Sequence, residues 1–122
     1  MTRINLVPPE TLHSKHLLAE YRELPRIFGL AQQAHLNHKG LPRNQPKDYT
    51  LGTGHVIFFY DKLAWLEERF ILLVAECRKR GFNVQHSQPP RVLVPQSWWN
   101  YWHPRPQDIA VSAQRILEKM PK

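Results

Sequence analysis

Leu63, Leu66, Phe70, Leu73, Val74 and Cys77 place an apolar residue at every third or fourth position. That is the period of one helix face, and a strand cannot use it. The spacing recurs in Leu17, Tyr21, Leu24, Phe28 and Ala31, and again in Ile109, Ala113, Ile116, Leu117 and Met120. Three stripes of this kind must meet around one shared core, because a helix hides an apolar face only against another element. The chain is therefore expected to be all-α, a single compact domain over residues 1–122 with three main helices and long irregular connecting loops.

Local signals set the expected boundaries. The first helix should run from about Pro9 to Asn37, with Pro8-Pro9 suited to its start and Pro25 bending it midway. Asp61 is the expected N-cap of the second helix. Arg78-Lys79-Arg80 before Gly81 should end it, with cations at the negative end of the dipole. The third helix should span about Pro106 to Met120. Between the first two, His38 to Gly54 carries Lys39, Arg43 and Lys47 among its glycines and prolines, and reads as a structured basic loop leading into Val56-Ile57-Phe58-Phe59-Tyr60. Before the third, a proline-rich irregular stretch holds Trp98, Trp99, Tyr101 and Trp102.

Charge narrows the partner. Seventeen Lys and Arg against ten Asp and Glu leave a formal charge of +7. Nucleic acid fits such a surplus best, because neutralising phosphates releases counterions. An anionic membrane is the weaker candidate, since the sequence has neither a long apolar run nor a basic amphipathic anchor. Cys77 is the one cysteine, so no internal disulfide forms, and a cytoplasmic monomer is expected. On the apolar side of its helix, Cys77 reads as a small buried hydrophobe. His35 and His38 have a spacing seen among metal ligands, but no third ligand accompanies them, and neither a metal nor a cofactor is expected.

Two places carry candidate chemistry. Removal of Met1 before the small Thr2 would expose an α-amine, which titrates near ~7.7–8 and is partly nucleophilic at neutral pH. In the first helix, at about 100° per residue, Lys15, His16, Ala19, Arg22, Glu23 and Arg26 fall on the side away from the apolar stripe. An acid framed by cations there can stabilise a developing positive charge, but on residue type alone an ordinary solvated helix face is the commoner explanation.

The strings Met1-Thr2-Arg3-Ile4-Asn5-Leu6, His16-Leu17-Leu18-Ala19-Glu20-Tyr21-Arg22-Glu23-Leu24-Pro25-Arg26 and Leu51-Gly52-Thr53-Gly54-His55-Val56-Ile57-Phe58-Phe59-Tyr60-Asp61-Lys62-Leu63 resemble the phage endonuclease V family of pyrimidine-dimer DNA glycosylases with AP lyase activity. Ala75 to Asn83 looks like the end of that family's second helix. The resemblance covers most of the first 83 residues and weakens beyond them.

The resemblance implies an enzyme that excises the 5′ base of an ultraviolet-induced cyclobutane dimer in double-stranded DNA and then breaks the backbone. It assigns Thr2 as the nucleophile that forms an imine with deoxyribose C1′, and Glu23 as proton shuttle and stabiliser of the cationic sugar. Arg3, Arg22 and Arg26 match positions that grip phosphates; His16 matches as well, and Lys15 stands where the phage enzyme has a neutral amide. Arg115 and Lys119 match a basic pair on the third helix across a short gap. His55, in the Gly52-Thr53-Gly54-His55 turn, either supports the loop under the site or caps the second helix.

One departure bears on specificity. The phage enzyme continues past its third helix into an aromatic and basic tail, whereas this sequence carries Trp98, Trp99, Tyr101 and Trp102 before that helix. These rings either stack on an extruded base or fill space in the core. Two other readings stay open: a catalytically silent DNA-binding protein, and an enzyme of the same mechanism acting on another base lesion.

Overall fold

Each apolar stripe becomes one helix. The computed structural model describes residues 3–120. Within it α1 spans Ser14–His38, α2 spans Leu63–Lys79 and α3 spans Pro106–Glu118. Among the described residues the remaining regular structure is three single 3-10 turns, at Pro9–Thr11, Ile57–Phe59 and Gln96–Trp98, so the class is all-α.

The main helix pair is α1 on α2. Leu17, Leu24, Phe28 and Ala31 meet Leu63, Leu66, Phe70, Leu73, Val74 and Cys77 in one core, all of them nearly inaccessible to water. Tyr21, half-buried at the edge of the stripe, lays its ring flat on Phe70 with centroids 5.7 Å apart. Burying each of these large side chains stabilises the fold by about 1.5–3 kcal/mol relative to leaving it exposed, so the α1–α2 pair is the main apolar contribution.

The helix ends explain most departures from expectation. Helix α1 starts at Ser14 and not near Pro9, because Leu12 and His13 are extended and cut off the turn at Pro9–Thr11. His13 is the N-cap, its Nδ1 accepting from the Lys15 backbone N–H. Helix α1 continues across Pro25, whose ring nitrogen has no hydrogen to give the Tyr21 carbonyl. At the other end, Lys39 takes a left-handed conformation with φ 54°.

Asp61 does not cap α2. The cap position is Lys62, and the Asp61 carboxylate is instead occupied by Gln45 Nε2 at 3.0 Å and Lys62 Nζ at 2.9 Å. The C-terminus of α2 follows the sequence. Phe82 N–H bonds the Cys77 carbonyl and Gly81 N–H that of Arg78, with Gly81 at φ 84°, which together make a Schellman cap.

Helix α3 turns a different face inward. Asp108, Ser112 and Ile116 are its buried residues, while Ile109, Leu117 and Met120, expected in the core, are exposed. The reason is its partner surface: α3 meets polar backbone of the N-terminal segment, where Ser112 Oγ receives the Leu6 N–H at 3.0 Å. A hydroxyl serves that contact and an isoleucine cannot. Asp108 accepts from the Arg105 backbone N–H at 3.0 Å and from its guanidinium at the start of the helix.

The basic loop is ordered by its own contacts. Gln45 donates to the Ile57 carbonyl and the Asp61 carboxylate, and Gly54, at φ 92°, lies so close to Pro46 that a Cβ there would approach its Cγ to 2.5 Å. Of the aromatic run, Trp98 is buried with its edge toward His35, Trp99 leans on Phe28, and Trp102 sits among Tyr49, Phe58, Phe59 and Trp65. Those three rings are core material. Tyr101 alone points out, 68% exposed.

Candidate active site

The chain's first described residues are threaded through the core and fixed by partners from four separate parts of the molecule. Ile4 is held on both sides: its N–H donates to His55 Nε2 at 2.8 Å, and its carbonyl accepts from the Tyr49 hydroxyl at 2.9 Å. Asn5 Nδ2 donates to Glu20 at 2.9 Å, Leu6 N–H to Ser112, and the Val7 carbonyl accepts from Arg69 at 2.6 Å. Arg3 Nε reaches the Leu51 carbonyl at 2.6 Å. An extended segment cannot satisfy its own backbone groups, so this set of partners fixes its course and its register.

Beneath it lies a buried ion pair. Glu20 has no accessible surface, and Arg69 engages both its oxygens, Nε to Oε2 at 2.8 Å and Nη2 to Oε1 at 3.0 Å. Sequence reasoning missed both residues. The signal was present: Glu20 falls three residues after Leu17 and four before Leu24, inside the apolar stripe, and Arg69 falls three after Leu66 and four before Leu73. A fork matched to a carboxylate is how such charges tolerate burial.

His55 and Tyr49 carry shifted protonation equilibria. Because His55 Nε2 accepts from Ile4, its proton resides on Nδ1, which donates to the Thr50 carbonyl at 2.7 Å. Burial lowers its pKa to about 4; the Thr50 bond opposes this, and the charges of Arg3 and Arg115 reinforce it. Tyr49 is pushed up to about 12, chiefly by burial, against the effect of its hydrogen bond with Ser112. At neutral pH His55 is therefore an uncharged acceptor and Tyr49 an intact donor. His55 does not cap α2; it holds the Ile4 backbone.

Two guanidiniums share this region. Arg115, half-buried on α3, is held below the ordinary guanidinium range first by burial and then by the nearby charge of Arg3. Both cations also act electrostatically on His55 and Tyr49. His16 brings the start of α1 to the same end of α3, its Nε2 3.1 Å from the Lys119 carbonyl. His16 thus lies against the C-terminal end of the helix that carries Arg115.

Helix α1 supplies the other cations. Lys15, Arg22 and Arg26 are exposed on one side of it and span about 16 Å at 1.5 Å per residue. Glu23 and His16 lie nearer the core than expected, half-buried at its margin and not on the far side. Glu23 Oε2 meets Arg26 Nη1 at 3.2 Å, a pair whose arginine side chain is 73% exposed. On the opposite flank of the Arg22 ridge opens a cleft of about 580 Å³, with Leu18, Tyr21, Pro25 and Phe70 at its apolar side and Arg22 and His86 among its polar residues. Thr2, the expected nucleophile, lies outside the described residues.

Residues 1–89 match the family model described as pyrimidine dimer DNA glycosylase. The matched region is well over half of the 122 residues. This chain belongs to the pyrimidine dimer DNA glycosylase family. The matched region contains α1, α2 and the whole N-terminal segment with its His55 and Tyr49 supports; α3 and the tryptophan loop lie beyond it. Family membership gives damaged DNA as the substrate, and no helix among the described residues is long and apolar enough to cross a membrane. Cys77 is fully buried, and its thiol is pushed up mainly by that burial.

Proposed function

We propose that this family member is a bifunctional enzyme, in which the Thr2 α-amine excises the 5′ base of a cyclobutane pyrimidine dimer in duplex DNA and the resulting imine leads to strand cleavage. The observation that carries the reading is the immobilised segment from Arg3 to Val7, which ends one residue from Thr2 and beside the Arg3–Arg115 pair. A nucleophile at a chain terminus loses much of its advantage if the terminus wanders, and fixing the residues behind it supplies the missing orientation.

The steps balance as follows. The neutral amine attacks C1′, the C1′–N bond breaks, and the pyrimidine keeps the bonding electrons and takes up a proton, still tethered to its 3′ neighbour through the cyclobutane ring. Loss of the amine proton and opening of the C1′–O4′ bond give the imine and a 4′-hydroxyl. Removal of a C2′ proton then expels the 3′ phosphate by β-elimination, and water hydrolyses the imine to regenerate the amine. Glu23 fits both the stabilisation of the cationic sugar and the movement of the C2′ proton. Its ion pair with Arg26 is exposed and worth at most about 1 kcal/mol, so a phosphate that draws Arg26 away leaves the carboxylate available.

Phosphate contacts fall to Arg3, Lys15, His16, Arg22, Arg26, Arg115 and Lys119, on the α1 ridge and beside the N-terminal segment. Extrusion of a base makes room for the catalytic groups, and the cleft beside Arg22 has an apolar side able to receive a flat ring. Borohydride trapping on a thymine-dimer duplex and an abasic duplex tests the proposal. Covalent product from both, reduced strongly by Glu23→Gln, supports it. Product from the abasic duplex alone removes the dimer glycosylase step, and product from neither leaves a silent DNA binder.

A further inference from the structure

We propose that His55 is a positioning residue for the reaction: its bare Nε2, acting with the Tyr49 hydroxyl on the same residue, locks Ile4 and so sets where the chain's amino end can reach. The inference rests on the imine reading and goes beyond it, because it assigns the precision of the nucleophile to a side chain that touches neither DNA nor sugar. Both hydrogen bonds fall on one residue from sites 45 and 51 positions away in sequence. Ile4 itself is 1% exposed and His55 2%, so water cannot replace either bond.

The orientation of the clamp is doubly fixed. Thr50 takes the Nδ1 proton and leaves Nε2 as the acceptor, while Ser112 hydrogen-bonds both the Tyr49 oxygen and the Leu6 N–H. His55 also sits edge-on to Tyr49 and Phe59, with ring centroids 5.4 and 5.6 Å away, which prevents the imidazole from turning. A bulky apolar residue at this position would fill the space and still leave the Ile4 N–H without an acceptor. Glutamine differs in the useful way, since its amide oxygen can occupy the place of Nε2.

The test compares wild type, His55→Leu and His55→Gln in single-turnover borohydride trapping on an abasic duplex, alongside amide hydrogen exchange at Ile4. His55→Leu is expected to lower the saturating trapping rate at least tenfold with half-saturation within twofold of wild type, and to lose Ile4 protection at least tenfold. His55→Gln is expected to stay within threefold of wild type in all three quantities. Folded His55→Leu that traps at the wild-type rate overturns the proposal. Should His55→Leu fail to fold, Tyr49→Phe replaces it, removing the other arm of the clamp with the ring kept; an unchanged saturating rate there is equally contrary. Wild-type protein that traps nothing overturns the imine reading instead, and equal Ile4 protection in every variant then overturns the clamp as well.

Discussion

The backbone N–H of Ile4 donates to Nε2 of His55 across 51 positions of sequence, at 2.8 Å and with both residues buried. That one bond ties the start of the chain to the turn before α2. It also requires His55 to be neutral, and this makes the anchor sensitive to acid. Burial, reinforced by Arg3 and Arg115 against the Thr50 hydrogen bond, sets the folded pKa at about 4, below the ordinary 6.5. Above pH 6.5 neither state is protonated and His55 adds no pH dependence. As pH falls from 6.5 toward 4 the unfolded chain takes a proton that the folded chain refuses, so stability drops, by roughly 3 kcal/mol once both are protonated. Urea unfolding across this range should show that slope in wild type and not in His55→Gln.

Glu20→Gln should be strongly destabilising. The amide cannot neutralise Arg69, which stays buried with an uncompensated charge, a situation that costs about 3–5 kcal/mol. Thermal melting should show Tm lowered by roughly 10 °C or more. Since Glu20 also holds Asn5, trapping activity at temperatures where the variant is folded should fall as well.

Lys39→Gly should stabilise. Lys39 is the one non-glycine residue with positive φ among the described residues, and a left-handed conformation costs an ordinary side chain roughly 1 kcal/mol that glycine does not incur. A Tm rise of a few degrees, without change in trapping rate, is the expected result.

DNA affinity should depend steeply on salt, and each phosphate-binding cation should contribute to the slope. Arg115→Gln and Arg22→Gln are each expected to reduce the slope of log K against log salt by ~0.9. Equilibrium binding to a duplex at several salt concentrations measures this directly; slopes equal to wild type would place both residues away from the DNA backbone.

The sequence made the helices legible because their signal is periodic and local. The faces of α1 and α2 lie where Leu17, Leu24, Phe28, Leu66, Phe70 and Cys77 place them. It misled at α3, where the most apolar stripe is not the buried one. Ile109 and Leu117 obey the helix period, but Ser112 faces the molecule because its partner is the Leu6 N–H, 106 residues away. Hydrogen bonds to a distant segment leave no periodic trace. The same limit hid the function of Tyr49 and left the place of His55 open, since neither stands near Ile4 in sequence. The tryptophans were open for another reason: composition does not distinguish a ring that stacks on a base from one that fills a core, and only packing assigns Trp98, Trp99 and Trp102 to the core.

The central claim is that the amine of Thr2 forms the covalent bond with DNA, and peptide mapping of the borohydride-reduced adduct on an abasic duplex tests it most directly. The account predicts a processed chain lacking Met1, with the sugar attached to the nitrogen of an N-terminal peptide beginning Thr2-Arg3-Ile4. An adduct mapped to a lysine side chain, or one that forms equally well on protein that retains Met1, would contradict it.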